Sequence, residues 1–429
     1  MTLSWLSIFR LGLVQMCLGA IVVLTTSTLN RLMVVELALP AVLPGLLVAL
    51  HYGIQITRPN WGFLSDAGGN RTLFIVGGMG VLALGGLGAA WGVALMETAF
   101  APGLAVSIAA YALIGVGVGA SGTSLLALLA TATAPRRRAA AATITWLMMI
   151  FGIAATAGTV GAFLDPYSHA LLLRIVAIVA GGAVLLTILA VWGVERGVDA
   201  QPAHDEQGFV EGLKEVWAER HARNFTIFVF LSMTAYFMQE LILEPYAGLV
   251  FGLTPGQSTS LSGAQNGGVF VGMLLVGIAA TGLRIGSLRS WVIAGCLGSA
   301  ASLAAITFAG SAGISAGLMP GVVALGMFNG MFAVAAIGSM MALAGEGRES
   351  REGTRMGLWG AAQAIAAGFG GLTGAAAADV MRTFMASDAT AFGTVFLAEA
   401  ALFLVAAAMA AKVIQTARAP GRAAMMPGE

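Results

Sequence analysis

The side chains of this chain that could do chemistry are few, and most lie inside long apolar runs. His51, Gln55 and Arg58 recur at i, i+4 and i+7, so on a helix they share one face, with Tyr52 beside them. An imidazole in that setting can ligate a metal, exchange a proton or hydrogen-bond a polar ligand. Gln239, Glu240 and Glu244 close another run, with the two carboxylates spaced to share a face and Pro245 expected to end the helix. Gln15 sits inside the first run; Arg31 and Glu36 at its far end form a candidate ion pair of structural character, and Glu399 stands alone in the last run. An ionisable group inside an apolar span is costly and therefore informative. No nucleophile–base pair, paired-carboxylate hydrolase site or metal-ligand cluster can be assembled. The histidines, His51, His169, His204 and His221, are scattered, and Cys17 and Cys296 lie in separate apolar runs. The expectation is no catalytic residues and no enzyme.

The elements that carry these residues follow from composition. Of 429 residues, 58% are hydrophobic and only 10% charged, against roughly a quarter charged in a soluble domain. Such a chain cannot cover itself with polar surface, so lipid is its solvent. A helix needs about 20 mainly apolar residues to cross the hydrocarbon core. Twelve runs qualify: 11–29, 37–56, 73–95, 105–130, 140–163, 171–192, 225–243, 261–281, 291–309, 314–343, 358–380 and 392–410. The fold class is all-α, a polytopic membrane protein. The first run follows Arg10 but is too long for a cleaved signal and lacks an A-x-A-like site, so it reads as a span.

Basic residues set the orientation. Arg31, Arg174 and Arg382 occupy one set of connections, and the other 18 of the 21 basic residues occupy the alternate set and the tails. Both termini are therefore expected on the cytoplasmic side of the membrane. The net charge of +1 says nothing about nucleic acid, and no nucleic-acid partner is expected. The longest polar connection divides the chain into six-helix bundles at 1–194 and 225–429, with a linker at 195–224. In that linker Phe209, Leu213, Val216 and Trp217 share a helical face, which suits an amphipathic helix on the membrane surface or a solvated linker helix. The halves echo each other: Arg138 to Trp146 matches Arg351 to Trp359, and Ala112-Leu113 matches Ala324-Leu325 at nearly the same offset. Parallel repeats of this kind mark transporter folds.

The connection after the second run resembles the major facilitator signature G-x-L-x-D-x-x-G-[RK]-[RK]. It keeps Gly62, Leu64, Asp66, Gly69 and Arg71 but lacks basic residues at 67 and 70. The resemblance implies a conformational latch formed by Gly62, Asp66, Gly69 and Arg71. An ordinary turn with a solvated Asp66 is the alternative. Gly117-x-Gly119-x-x-Gly122 matches a dinucleotide fingerprint in form only, because it lies within an apolar span with no strand before it. Close helix packing explains those glycines better. No P-loop is present, so no nucleotide is expected.

Other segments are more specific. Thr28-Leu29-Asn30-Arg31 through Glu36-Leu37, His51-Tyr52-Gly53, Arg58-Pro59-Asn60-Trp61-Gly62, Gln239-Glu240 through Pro245-Tyr246-Ala247-Gly248, and Gly357-Leu358-Trp359-Gly360 through Gln363-Ala364 resemble the bacteriochlorophyll delivery, or PucC-like, family. They span both halves; Ser27 and Glu240 stand where many relatives have Gly and Asp. The resemblance implies a major facilitator fold in the photosynthetic membrane of purple bacteria. It also implies a role in assembling light-harvesting antennae by binding or delivering bacteriochlorophyll or a late precursor. The implied partners are the lipid bilayer, antenna polypeptides and, for the subgroup linked to pigment synthesis, bacteriochlorophyll synthase. His51, Tyr52, Gln55 and Arg58 are then the candidate pigment-binding residues, with His51 a candidate axial ligand to chlorophyll magnesium. A secondary transporter of a small solute and a pigment-free scaffold stay open as alternatives.

Reporters fused after Arg138, near Glu211 and at the C-terminus should all report cytoplasm. A periplasmic signal from any of the three would break the twelve-span arrangement.

Overall fold

The computed structural model describes residues 3–58, 60–61, 64, 70–134, 137–195, 217–283, 285–345 and 352–414. Twelve helical segments cross one layer. They are α1 (Trp5–Glu36), α2 (Val42–Thr57), α3 (Arg71–Met96), α4 (Phe100–Ala132), α5 (Arg138–Phe163) and α6 (His169–Val191). The second half holds α7, broken into Arg220–Met238 and Leu243–Phe251, α8 (Pro255–Val276), α9 (Leu288–Ser311), α10 (Leu318–Gly345), α11 (Glu352–Phe384) and α12 (Asp388–Val413). Eleven are long and apolar enough to span a membrane; α2 is a shorter apolar helix. Both described chain ends lie on one face of the layer, since twelve crossings return the chain to its starting side.

Helix ends carry the caps that an apolar solvent makes necessary. Ser4, Asn70, Ser168, Ser287 and Ser387 each accept a backbone N–H at an N-terminus. Thr254 and Gln257 form a reciprocal capping box on α8. The outer surface is the reverse of a soluble protein's: Leu84, Trp91, Phe151, Ile178, Phe308 and Leu397 are all exposed. These side chains face hydrocarbon, which the closed backbone bonding of helices permits.

The packing repeats. In the first half α1 lies against α5 and α6, α2 against α4, and α3 against α4 and α6. In the second half α7 lies against α11 and α12, α8 against α10, and α9 against α10 and α12. Each pair maps onto its counterpart six helices later. Across the halves α5 meets α8 and α2 meets α11, and the same mapping exchanges those two contacts. Two six-helix halves in a major facilitator arrangement therefore follow from the contacts themselves. Two large hydrophobic clusters fill them, one drawn almost wholly from α1–α6 and the other from α7–α12.

Glycine lets the helices approach. A Cβ on Gly117 of α4 would sit 2.5 Å from the Leu82 backbone nitrogen of α3. One on Gly374 of α11 would sit 2.3 Å from the Met238 carbonyl of α7. Gly117 of the dinucleotide-like motif is thus a packing residue, as small-residue interfaces in lipid require, whereas Gly122 has ordinary contact room.

Hydropathy misplaced two boundaries. The first span was expected to end at residue 29 and the second to begin at 37. Instead α1 runs to Glu36, Ala38 adopts a φ of 50°, and α2 starts only after Pro40. Apolar residues continue through the junction, so hydropathy cannot see the backbone reversal. Pro245 was expected to end its helix; the chain instead turns at 239–242, and Pro245 lies in the first turn of the segment that follows. A proline is tolerated there because its missing N–H had no helical partner anyway.

Gly117→Val should lower thermal stability in detergent by about 1–3 kcal/mol, the range for overpacking a tight interface. Gly77→Ala, where a Cβ meets nothing within 4 Å, should leave the melting temperature unchanged.

Candidate functional site

The residues singled out in sequence converge on the seam between the halves. Two π-helical turns in α1, Leu24–Thr28 and Leu32–Glu36, flank Leu29–Arg31. Each widened turn shifts the register of the face that follows, and the hydroxyls of Thr25 and Thr26 donate to the Val22 carbonyl beside the first. Such turns concentrate at functional sites. Here they aim four polar side chains, Ser27, Thr28, Asn30 and Arg31, across the seam.

Ser27 Oγ donates to the Glu244 carboxylate and lies 2.9 Å from Ser262 Oγ. Thr28 Oγ1 lies 3.3 Å from Thr259 Oγ1. Asn30 donates to the Leu241 carbonyl at 2.7 Å. Arg31, 2% exposed, pairs with Glu36 and donates to the Leu253 carbonyl at 2.7 Å. The turn at 239–242 makes this possible by freeing the Leu241 carbonyl for a partner in the other half. Two further carboxylates close the same side. Asp165 accepts from Thr254 Oγ1 and from the Gly256 N–H at 3.1 Å. Asp379 of α11 accepts the Ala41 and Val42 N–H groups at 2.9 and 2.7 Å, capping α2 from the opposite half. All these bonds lie toward the face opposite the termini, so the seam is closed there.

Arg31–Glu36 is therefore more than a rim pair. The guanidinium spends one arm on Glu36 and another on the second half, holding α1 against the end of α7. Nearby, His169 bridges Glu97 through Nε2 and Tyr167 through Nδ1, the latter at 2.8 Å. Burial, then the Glu36 and Glu97 carboxylates, pushes the Tyr167 hydroxyl up to about 12. Tyr167 thus remains a hydrogen-bond donor, and His169 clasps a connection.

Deeper in the seam, α2 carries the polar stripe. His51 is 2% exposed, and its Nε2 lies 3.0 Å from Gln55 Nε2. Gln55 Oε1 accepts from Arg58 Nη2. Arg58 can only donate, so it fixes the Gln55 amide, whose N–H must then donate to His51. The imidazole lone pair is consequently on Nε2 and the proton on Nδ1, which has no partner in the structure. Tyr52 packs edge-on against His51 at 4.7 Å and against Phe237 of α7 at 6.2 Å. Tyr52 and Tyr236 both lie within electrostatic reach of Glu240. The stripe and the α7 motif thus face each other across the seam.

Other expectations resolve differently. The two α7 carboxylates do not act as a pair: Glu240 sits in the turn near Tyr52 and Tyr236, whereas Glu244 begins the next segment and bonds Ser27. The helical-face argument fails because the helix is broken between them. Gln15 donates weakly to Met149 Sδ at 3.4 Å, and Gln239 to the Tyr236 carbonyl at 3.4 Å. Of the expected latch, Gly62, Asp66 and Gly69 lie outside the described residues. Arg71 begins α3, where Glu195 accepts its backbone N–H at 2.9 Å and its Nη1 donates to Thr131 at 2.8 Å. The surface-helix expectation for 209–216 also falls outside the described residues. Sequence reasoning missed Asp165 and Asp379 altogether. Asp379 had a signal, an acid set within an apolar run, whereas Asp165 looked like any polar loop residue.

On the wall that faces lipid, a groove of about 540 Å³ runs between α3 and α6, lined by residues such as Gly80, Leu84, Leu87, Gly181, Val184 and Leu185. It is wholly apolar in its lining side chains.

Comparison with known proteins places this geometry. The family model described as PUCC protein matches residues 28–418. The chain is 69% identical, over the full length of both chains, to a Rhodobacter capsulatus protein named bacteriochlorophyll synthase 44.5 kDa chain. It is 28% identical to protein PucC of Cereibacter sphaeroides over 84% of this chain and 81% of that one. Among solved structures, a bacterial homologue of the human lysosomal transporter Spinster, in an inward-facing unoccupied conformation, superposes with a TM-score of 0.71. It is 16% identical and covers 95% of this chain and 97% of that one. The nucleoside transporter NupG gives 0.68 at 14% identity, covering 96% and 98%. At those identities the likeness shows the major facilitator fold alone. The expectation that the chain is no enzyme is corrected by the synthase name of its 69%-identical relative. That expectation looked for a complete catalytic set within one chain, and the named relative is one chain of a synthase. Matched by the family model across most of its length, the chain belongs to the PucC family.

Proposed function

We propose that this protein binds bacteriochlorophyll or a late precursor within the membrane and delivers it to light-harvesting antenna polypeptides. The observation that carries the reading is His51, a buried imidazole whose neighbour Tyr52 reaches Phe237 of the other half. The PucC relatives and the synthase-chain name support the pigment class. They also favour the subgroup that works beside pigment synthesis, with bacteriochlorophyll synthase as a partner. The basic-residue asymmetry supports cytoplasmic termini, and the named relatives support a photosynthetic inner membrane.

The residues present fit a magnesium chlorin in donor type, and His51 Nε2 would hold it. The pigment, when bound, would supply a magnesium ion that accepts a nitrogen donor. The Nε2 lone pair is engaged by Gln55, so His51 would give up that amide to hold the metal, while Arg58 keeps Gln55 close by. Nδ1–H is free to donate to a carbonyl. Tyr52 and Phe237 offer aromatic faces on either side of the seam. The seam is bonded at the face opposite the termini, so entry and release of a bulky ligand belong to the other side or to the lipid. Such a closed far side also suits a secondary transporter, the second reading, for which the inward-facing structural neighbour is the specific support.

The test is spectroscopic. Purified in mild detergent from a pigment-making host, the wild-type protein should carry near-infrared absorbance. His51→Ala should remove or shift most of that absorbance at normal expression, whereas Gln55→Leu, which frees Nε2, should retain it. An unchanged spectrum in His51→Ala would move the pigment to the lipid-facing groove between α3 and α6. A wild-type protein without pigment would end the reading, and solute flux in liposomes would then decide for a transporter.

A further inference from the structure

The second half contains a polar layer that neither the seam nor the pigment reading uses. Glu399 of α12, Asn329 of α10 and Ser299 of α9 are each 0% exposed. Ser299 Oγ donates to Asn329 Oδ1 at 2.7 Å, leaving Asn329 Nδ2 without a partner. Both carboxyl oxygens of Glu399 also lack a partner.

Helix register sets the three at one depth. Each lies eleven or twelve residues from the end of its helix at the face opposite the termini. At 1.5 Å per residue that is a depth of roughly 17 Å, close to the middle of the membrane. Side-chain contacts pin the levels. Phe403, one turn beyond Glu399, stacks edge-on against Phe332, close to one turn beyond Asn329, at 6.2 Å. Gly295, one turn from Ser299, abuts the Phe332 backbone. On the other side of Glu399, the Gly393 carbonyl lies 3.5 Å from Thr307 Oγ1 of α9.

Among the described side chains, no cation of these helices or of α7 is at hand to hold a carboxylate there: Arg289, Lys412, Arg220, Arg223 and Arg382 sit in end turns. The other titratable groups nearby are Cys296, one turn away on α9, Tyr246, which donates to the Ile306 carbonyl, and Asp379, committed to α2. An unpaired charge in such a core is far costlier than a neutral acid. A neutral acid is in turn a poorer packing group than a hydrocarbon of the same volume. Ionisable groups kept inside a span mark functional sites, and buried acids among them serve as proton relays in pumps and transporters.

We propose that Glu399, backed by Asn329 and Ser299, is a proton-binding site at mid-membrane in the second half. The acid is held neutral at rest, and its proton exchanges with solvent when the helices around it part. The site is independent of pigment binding and provides a means of coupling the movement of this half to a proton gradient.

Infrared difference spectroscopy of the full-length protein in nanodiscs tests it. A protonated-carboxyl band should be present in the wild type at neutral pH, absent in Glu399→Gln, and shifted to lower frequency within hours of transfer to deuterium oxide. Asn329→Leu, which keeps the acid but removes its amide neighbour, should move the band to higher frequency. This second variant carries the test if the glutamine variant does not fold. A band common to wild type and Glu399→Gln, a missing wild-type band, or a band unmoved by Asn329→Leu would overturn the assignment. A band that never shifts in deuterium oxide would make Glu399 a sealed structural acid and equally overturn it.

Discussion

Helices in lipid gain little from burying apolar surface against one another, because hydrocarbon outside is as apolar as the interior. What holds this protein together must therefore be close contact and polar bonds placed where water is absent. Both devices are visible. Within each half, glycines such as Gly117 and Gly374 bring backbones together. Between the halves both are used: Gly161, Gly256 and Gly263 bring α5 and α8 into close contact, and Ser27, Asn30, Arg31, Asp165 and Asp379 reach across with polar bonds.

The broken α7 and the π-turns of α1 belong together. A regular helix satisfies its own carbonyls and has none to offer a neighbour. By turning at 239–242, α7 releases the Leu241 carbonyl, and by widening its turns α1 presents Asn30 and Arg31 to take it and the Leu253 carbonyl. Two local departures from regular helix thus create the bonds that close one side of the protein. The family segments around 28–37 and 239–248 are these two departures, which gives their unusual polarity a physical role.

The polar stripe of α2 is a relay of orientation. Arg58 has only donors, so it decides which way Gln55 points, and Gln55 decides which nitrogen of His51 is protonated. A charge near the helix end in this way sets the tautomer of an imidazole two turns deeper. Among the described residues, the other histidines begin α6 or α7, and His169 is spent on Glu97 and Tyr167.

The sequence by itself determined the solvent, the number of crossings and the six-plus-six division, because these depend on composition and periodicity summed over many residues. It also singled out His51, Gln55, Arg58, Glu244 and Glu399, since a polar residue in an apolar run is conspicuous whatever it touches. Only the tertiary structure decided what those residues meet. Hydropathy could not foresee the reversal at Ala38 or the break before Glu244, because both occur within apolar sequence and depend on backbone geometry. Nor could spacing pair Ser27 with Glu244 or Asp379 with α2, more than 200 residues away. Such partners are set by how two halves dock, and docking is a property of surfaces that no local pattern encodes.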